Sequence, residues 1–118
     1  MKILRIYADA EGESHVEDVE LDMEEFGGTG RKSQDWAVQS VHFREIPPGA
    51  SAHFHVAPLR QLAINLSGET ELQVSDGTVR KIGPGQVFLV EDVTGKGHAN
   101  RWLDDKVHEL AFLPLVGE

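Results

Sequence analysis

The 118-residue chain has no cysteine. Disulfides, thiolate metal sites and cysteine nucleophiles are thereby excluded. A cysteine-free composition suits the reducing cytoplasm, which is the expected location. Basic residues are scarce: 11 Lys and Arg stand against 20 Asp and Glu, for a net charge of −9. Such a surface repels phosphates, so no nucleic-acid partner is expected. Long apolar runs are missing as well. No window approaches the roughly 20 residues of a membrane span, and no membrane partner is expected. The opening Met1-Lys2-Ile3-Leu4-Arg5-Ile6-Tyr7 has no apolar stretch of signal-peptide length. A convincing helical period is absent too.

What the chain does have is short strand signals. Ile3 to Tyr7 and Val16 to Met23 alternate around the polar Asp9-Ala10-Glu11-Gly12-Glu13. Trp36 to Ile46 alternates for longer, with Val38, Ser40, His42 and Arg44 on one face and Gln39, Val41, Phe43 and Glu45 on the other. Leu62 to Leu66 and Thr70 to Val74 flank a turn at Ser67-Gly68-Glu69, and Asp76-Gly77 signals a tight hairpin before Val79. Val87 to Val90, Ala99 to Leu103 and Val107 to Leu113 complete the series. About ten short strands at this spacing imply a single all-β domain over residues 1–118, an antiparallel sandwich or barrel. The glycine-rich Phe26 to Ser33 reads as a mobile loop that lies over the barrel mouth.

Chemistry concentrates at histidine. Pro48-Gly49-Ala50-Ser51-Ala52-His53-Phe54-His55 is answered by Gly95-Lys96-Gly97-His98. On a strand, His53 and His55 share a face with Cα atoms roughly 6.5–7 Å apart. Two imidazoles can close that gap onto one ion at about 2.0–2.1 Å per bond. His98, after its glycine turn, would add a third ligand from another strand.

These segments resemble the two signatures of the cupin superfamily. The first is a glycine, an H-x-H pair, an acidic residue and a glycine, matched here by Gly49, His53, His55 and Gly68. The second is matched by Gly83-Pro84-Gly85-Gln86, the strand Val87 to Glu91, and Gly95-Lys96-Gly97-His98. The resemblance spans roughly Arg44 to Trp102 and implies a double-stranded β-helix, or jelly-roll, barrel. It also implies a metal set of His53, His55 and His98 and a homodimer paired through an edge strand, for which Ile3 to Tyr7 is the candidate. The usual glutamate falls at Leu59 or Arg60, neither of which ligates metal, and Gln61 is the nearest donor. Neutral imidazoles with or without an amide leave a divalent ion uncompensated and favour an anionic ligand.

Three functions fit these residues. One is an iron-dependent dioxygenase acting on a small anionic or chelating metabolite, with Arg60 or Arg44 neutralising the substrate. The second is a non-enzymatic barrel that binds or senses a small molecule. The third is an isomerase or lyase of a sugar-like compound using zinc or manganese, with Glu45 or His42 as base. Iron leads as the ion, with zinc, manganese or nickel as alternatives. Glu91 and Asp92 can orient a ligand histidine from behind. His108 reads as packed and His15 as solvated. Gly27-Gly28-Thr29-Gly30-Arg31-Lys32-Ser33 fails as a phosphate loop because Arg31 replaces the glycine before the lysine.

Overall fold

The computed structural model describes residues 1–117. Twelve strands follow in chain order: β1 (Lys2–Ala8), β2 (Ser14–Glu20), β3 (Glu24–Glu25), β4 (Arg31–Lys32), β5 (His42–Ile46), β6 (Ser51–His55), β7 (Gln61–Asn65), β8 (Thr70–Val74), β9 (Val79–Ile82), β10 (Val87–Val90), β11 (His98–Trp102) and β12 (His108–Pro114). Among the described residues no helix is long and apolar enough to cross a membrane.

The strands form a six-stranded sheet in the order β2-β1-β10-β7-β12-β5, a four-stranded sheet β6-β11-β8-β9, and the small β3–β4 hairpin. From β5 onward the chain passes repeatedly from one large sheet to the other. This is the all-β jelly-roll barrel that the resemblance implied, one of the antiparallel sandwiches and barrels that the strand spacing allowed.

Alternation explains which side chains meet between the sheets. Leu4, Ile6 and Val90 from the six-stranded sheet pack on Leu72, Val74 and Ile82 from the four-stranded one. These residues sit two apart on their strands, so one face of each strand enters the core. The reverse face of the six-stranded sheet is also covered. Ile3, Leu89 and Leu62 carry Trp36, Leu21 and Leu115 there. The segment after β4 therefore crosses the outer face of the sheet before the chain reaches β5.

That crossing shortens an expected strand. Only His42–Ile46 joins the ladder, while Val38 makes an isolated bridge to Leu115. The Asp76-Gly77 hairpin is present, but its link runs from Ser75 to Thr78, closed by Gly77 N–H donating to the Val74 carbonyl at 3.1 Å. Residues 26–33 supply the turn and second strand of the β3–β4 hairpin instead of a lid over the mouth. This hairpin shares a cleft with Glu20, Asp22 and Trp36 beside β2, at the sheet edge opposite β5. Nor is Ile3 to Tyr7 an edge. β1 pairs with β2 on one side and β10 on the other, so its backbone is satisfied within the chain.

Candidate functional site

His55 and His98 stand opposite each other on β6 and β11, their ring centroids 4.7 Å apart. The turn that delivers His98 is held by backbone contact. A side chain on Gly97 would overlap the His55 carbonyl, and one on Gly95 would overlap Gly12. Lys96 N–H donates to the Gly12 carbonyl at 2.9 Å, and the buried Ser14 hydroxyl donates to the Gly97 carbonyl at 2.6 Å. Gly95 and Gly97 of the second signature thus serve close approach.

Both imidazoles are oriented from behind. His98 Nδ1–H donates to Oδ2 of the fully buried Asp92 at 2.6 Å. His55 Nδ1–H donates to the His53 carbonyl at 2.8 Å. With a proton on each Nδ1, each Nε2 keeps its lone pair for a ligand. This is the role anticipated for Asp92. Glu91 points elsewhere, taking Arg5 and Arg60 on the outer side. Burial alone would raise its pKa, but the hydrogen bonds from both arginines prevail and lower it. Arg60 is thereby engaged with Glu91.

His53 does not join this pair. His98 opposes His55 but Asn100 opposes Ala52, so β6 holds one residue more than β11 across that interval. Such a bulge breaks the two-residue alternation. His53 instead lines a shallow groove of about 220 Å³ with Ser51, Glu71, Gln73, Ala99 and Arg101. Gln61 is buried on the inner face of β7, opposite Val90. Among the described residues no group of three or more His, Cys, Asp or Glu is able to hold a metal ion. His55 and His98 fit two coordination positions by tautomer and proximity; the third imidazole is not brought to them.

A second cluster of polar side chains is built by β5 and β12. His42 opposes Phe112 and Arg44 opposes Leu110, on the inner face that also carries Ala63 and Asn65 of β7. The His42 and Phe112 rings stack at 5.5 Å and 10°, and the Arg44 guanidinium lies 4.0 Å over the Phe112 centroid. The sequence signalled His42 and Arg44 by their shared parity. It gave no sign of Phe112, which reaches them only through strand pairing. Glu45 opposes Glu109 on the other face and is directed away from the interior.

The remaining histidines are structural. His108 is fully buried, its Nε2–H donating to Asp104 at 2.7 Å. His15, expected to be solvated, is clasped by two carboxylates. Its Nε2 lies 2.7 Å from Asp9 and its Nδ1 2.8 Å from Asp76, and these bonds raise its pKa.

No protein-family model matches the chain, and no curated protein matches it either. Solved structures do. The Cnp3 cupin domain of Schizosaccharomyces pombe is 15% identical, with a TM-score of 0.56 over 88% of this chain and 73% of that one. A cupin domain (bp2299) of Bordetella pertussis Tohama I is 15% identical, with a TM-score of 0.52 over 70% of this chain and 93% of that one. The Drosophila melanogaster CENP-C cupin domain gives 15% identity and a TM-score of 0.51 over 80% of this chain and 75% of that one. At these identities the likeness speaks to fold alone. Strand order and these structural matches agree on the fold, a jelly-roll β-barrel like that of the named cupin domains.

Proposed function

We propose that this protein binds a small anionic metabolite in the mouth of its barrel, between the His42–Arg44 cluster and the His55–His98 pair. The observation that carries the reading is the pairing of Arg44, which supplies positive charge, with His55 and His98, whose Nδ1 atoms are bonded and whose Nε2 lone pairs are left to accept from a hydroxyl or amine of the ligand. Binding without turnover is the form the geometry supports best. Of the two candidate general bases, Glu45 faces away and His42 has its Nε2 lone pair engaged by Arg44. The test is a thermal-shift screen of anionic metabolites against wild type and the His55→Ala/His98→Ala double variant. A ligand present at 100 times its Kd stabilises the folded state by about 2.7 kcal/mol. Equal shifts in both proteins would remove the histidine pair from the site.

A second reading is favoured by the same tautomers: the pair holds a divalent transition metal, with iron, zinc, manganese or nickel all compatible with imidazole. Such an ion supplies a Lewis acid to a chelating ligand. His55 and His98 would hold it through Nε2, with Asp92 and the His53 carbonyl fixing the rings. Elemental analysis of protein purified without chelator, beside the double variant, tests this. Near-stoichiometric iron would direct the assay to oxygen consumption and the dioxygenase reading; zinc or manganese would direct it to lyase or isomerase substrates.

We also propose a homodimer formed in the cytoplasm through the open edge of β5. Phe43 is 71% exposed there, and Val41 beside it is also exposed. Unpaired strand edges that display apolar side chains invite pairing.

A further inference from the structure

We propose that Arg44 and His42, braced on Phe112, form a carboxylate-binding fork at the open edge of the barrel. This deepens the reading of the mouth as a ligand site by naming the chemical group it selects and the wall that selects it.

Among the described residues, Arg44 and Arg31 are set apart from the other arginines because neither meets a carboxylate. Arg5 and Arg60 meet Glu91, Arg80 meets Asp18, and Arg101 meets Glu71. Arg31 donates to the Met23 carbonyl at 3.2 Å. Arg44 has no carboxylate partner among the described residues, although the chain carries 20 Asp and Glu. Acid side chains near it belong to the opposite face of the strand pair, where Glu45 opposes Glu109. On its own face its neighbours are His42, Ile46, Leu110 and Phe112, none of them acidic.

The guanidinium is also immobilised. Its Nε–H donates to His42 Nε2 at 3.0 Å, and its plane is carried by the Phe112 ring. Stacking of His42 on the same ring fixes the other end of that bond. Cation–π contact and a spent Nε–H leave the two terminal nitrogens as the donors with no partner among the described residues. Their parallel N–H groups match the two oxygens of a carboxylate, a recognition mode that a lysine cannot reproduce. Accepting from Arg44 at Nε2 also places the His42 proton on Nδ1, which adds a donor to the edge. The Phe112 ring supplies apolar surface beside the fork. An aromatic or alkyl carboxylate is therefore the ligand class.

Benzoate is the probe, with neutral benzamide and inorganic phosphate as comparisons. Binding is followed by the side-chain N–H resonances of Arg44 and the ring resonances of His42. Wild type is expected to bind benzoate saturably in the millimolar range, and benzamide not at all. Arg44→Lys keeps the charge and loses about tenfold in affinity, corresponding to about 1.4 kcal/mol. Arg44→Gln shows no saturable binding. The His55→Ala/His98→Ala double variant still binds benzoate, so collapse of the histidine-pair reading leaves this result standing. Conversely, a wild type whose histidine pair takes up zinc while benzoate fails to bind would overturn the fork alone. Equal affinity for benzamide or phosphate, or unchanged binding in Arg44→Lys, would also overturn it. Arg44 is exposed, so these variants are expected to fold, and circular dichroism verifies that.

Discussion

Asp92 and His98 join the two sheets of the barrel through one bond. Asp92 follows β10 of the six-stranded sheet and His98 opens β11 of the four-stranded sheet, with Oδ2 and Nδ1 2.6 Å apart. Asp92 is fully buried, and its Oδ1 accepts no hydrogen bond. The bond therefore has two consequences: it holds the sheets in register at the mouth, and it sets the tautomer of His98.

Asp92→Ala removes the group that orients the imidazole. Under the metal reading, zinc affinity is expected to fall about 10–100-fold, as for other carboxylates behind ligating histidines. Zinc titration of wild type and variant measures this. Undiminished affinity would show that the carboxylate does not prepare His98 as a ligand.

Gly97→Ala tests the close approach beneath the pair. Gly97 has φ +76° and its added Cβ would meet backbone at His55 and Val56. Left-handed backbone at a non-glycine residue costs about 1–3 kcal/mol before any overlap is relieved. The expected result is a loss of at least that size in chemical unfolding. Gly77→Ala shares the positive φ but has nothing within 4 Å, so its loss should be smaller. Equal losses would mean that strain alone, and not packing against His55, fixes the turn.

The His15 clasp gives stability a defined pH dependence. Hydrogen bonds donated to Asp9, then to Asp76, raise the His15 pKa above its ordinary 6.5. Its contribution is then complete below pH 6.5 and lost as pH rises through the raised value. Asp9 is lowered from 3.8 first by its bond to His15, and Asp76 from 3.8 first by the Thr78 backbone N–H. Their contributions are present above 3.8 and lost as pH falls through the lowered values. Melting temperature should therefore decline on the alkaline side of 6.5, and less so in His15→Gln. Parallel curves for the two proteins would dismiss the clasp as a source of this dependence.

Phe43→Ser separates the dimer proposal from folding. A highly exposed side chain contributes little within one chain, so monomer stability should change by less than about 0.5 kcal/mol. Sedimentation across micromolar concentrations should show a dimer for wild type and a monomer for the variant. A wild-type monomer throughout that range would end the proposal. Leu72→Ala, in the centre of the core, should instead cost about 2–5 kcal/mol.

The expectations that held depended on local chemistry. Alternating apolar residues fixed β7, β8 and β10 to within a residue, because burial of one face demands period two. Glycine turns announced where the barrel folds back. His42 and Arg44 share a face, as their parity required. Asp92 stands behind His98, six residues along the same turn. None of this needed knowledge of distant pairings.

What failed to appear in the sequence depends on partners far along the chain. The side chains of His53 and His55 are separated by a bulge that exists only because β6 must align with β11. The place of β1 inside its sheet is decided by β10, more than 80 residues later. His15 looked solvated until the β8–β9 turn brought Asp76 to its ring. Phe112 supports Arg44 only through the pairing of β12 with β5. The sequence by itself determined the class of fold and the spacing of its turns, because both follow from local alternation and turn chemistry. Tertiary structure alone decided which histidines meet and which ring carries the Arg44 guanidinium. Strand register is a long-range quantity, and a single inserted residue reverses the face of what lies beyond it.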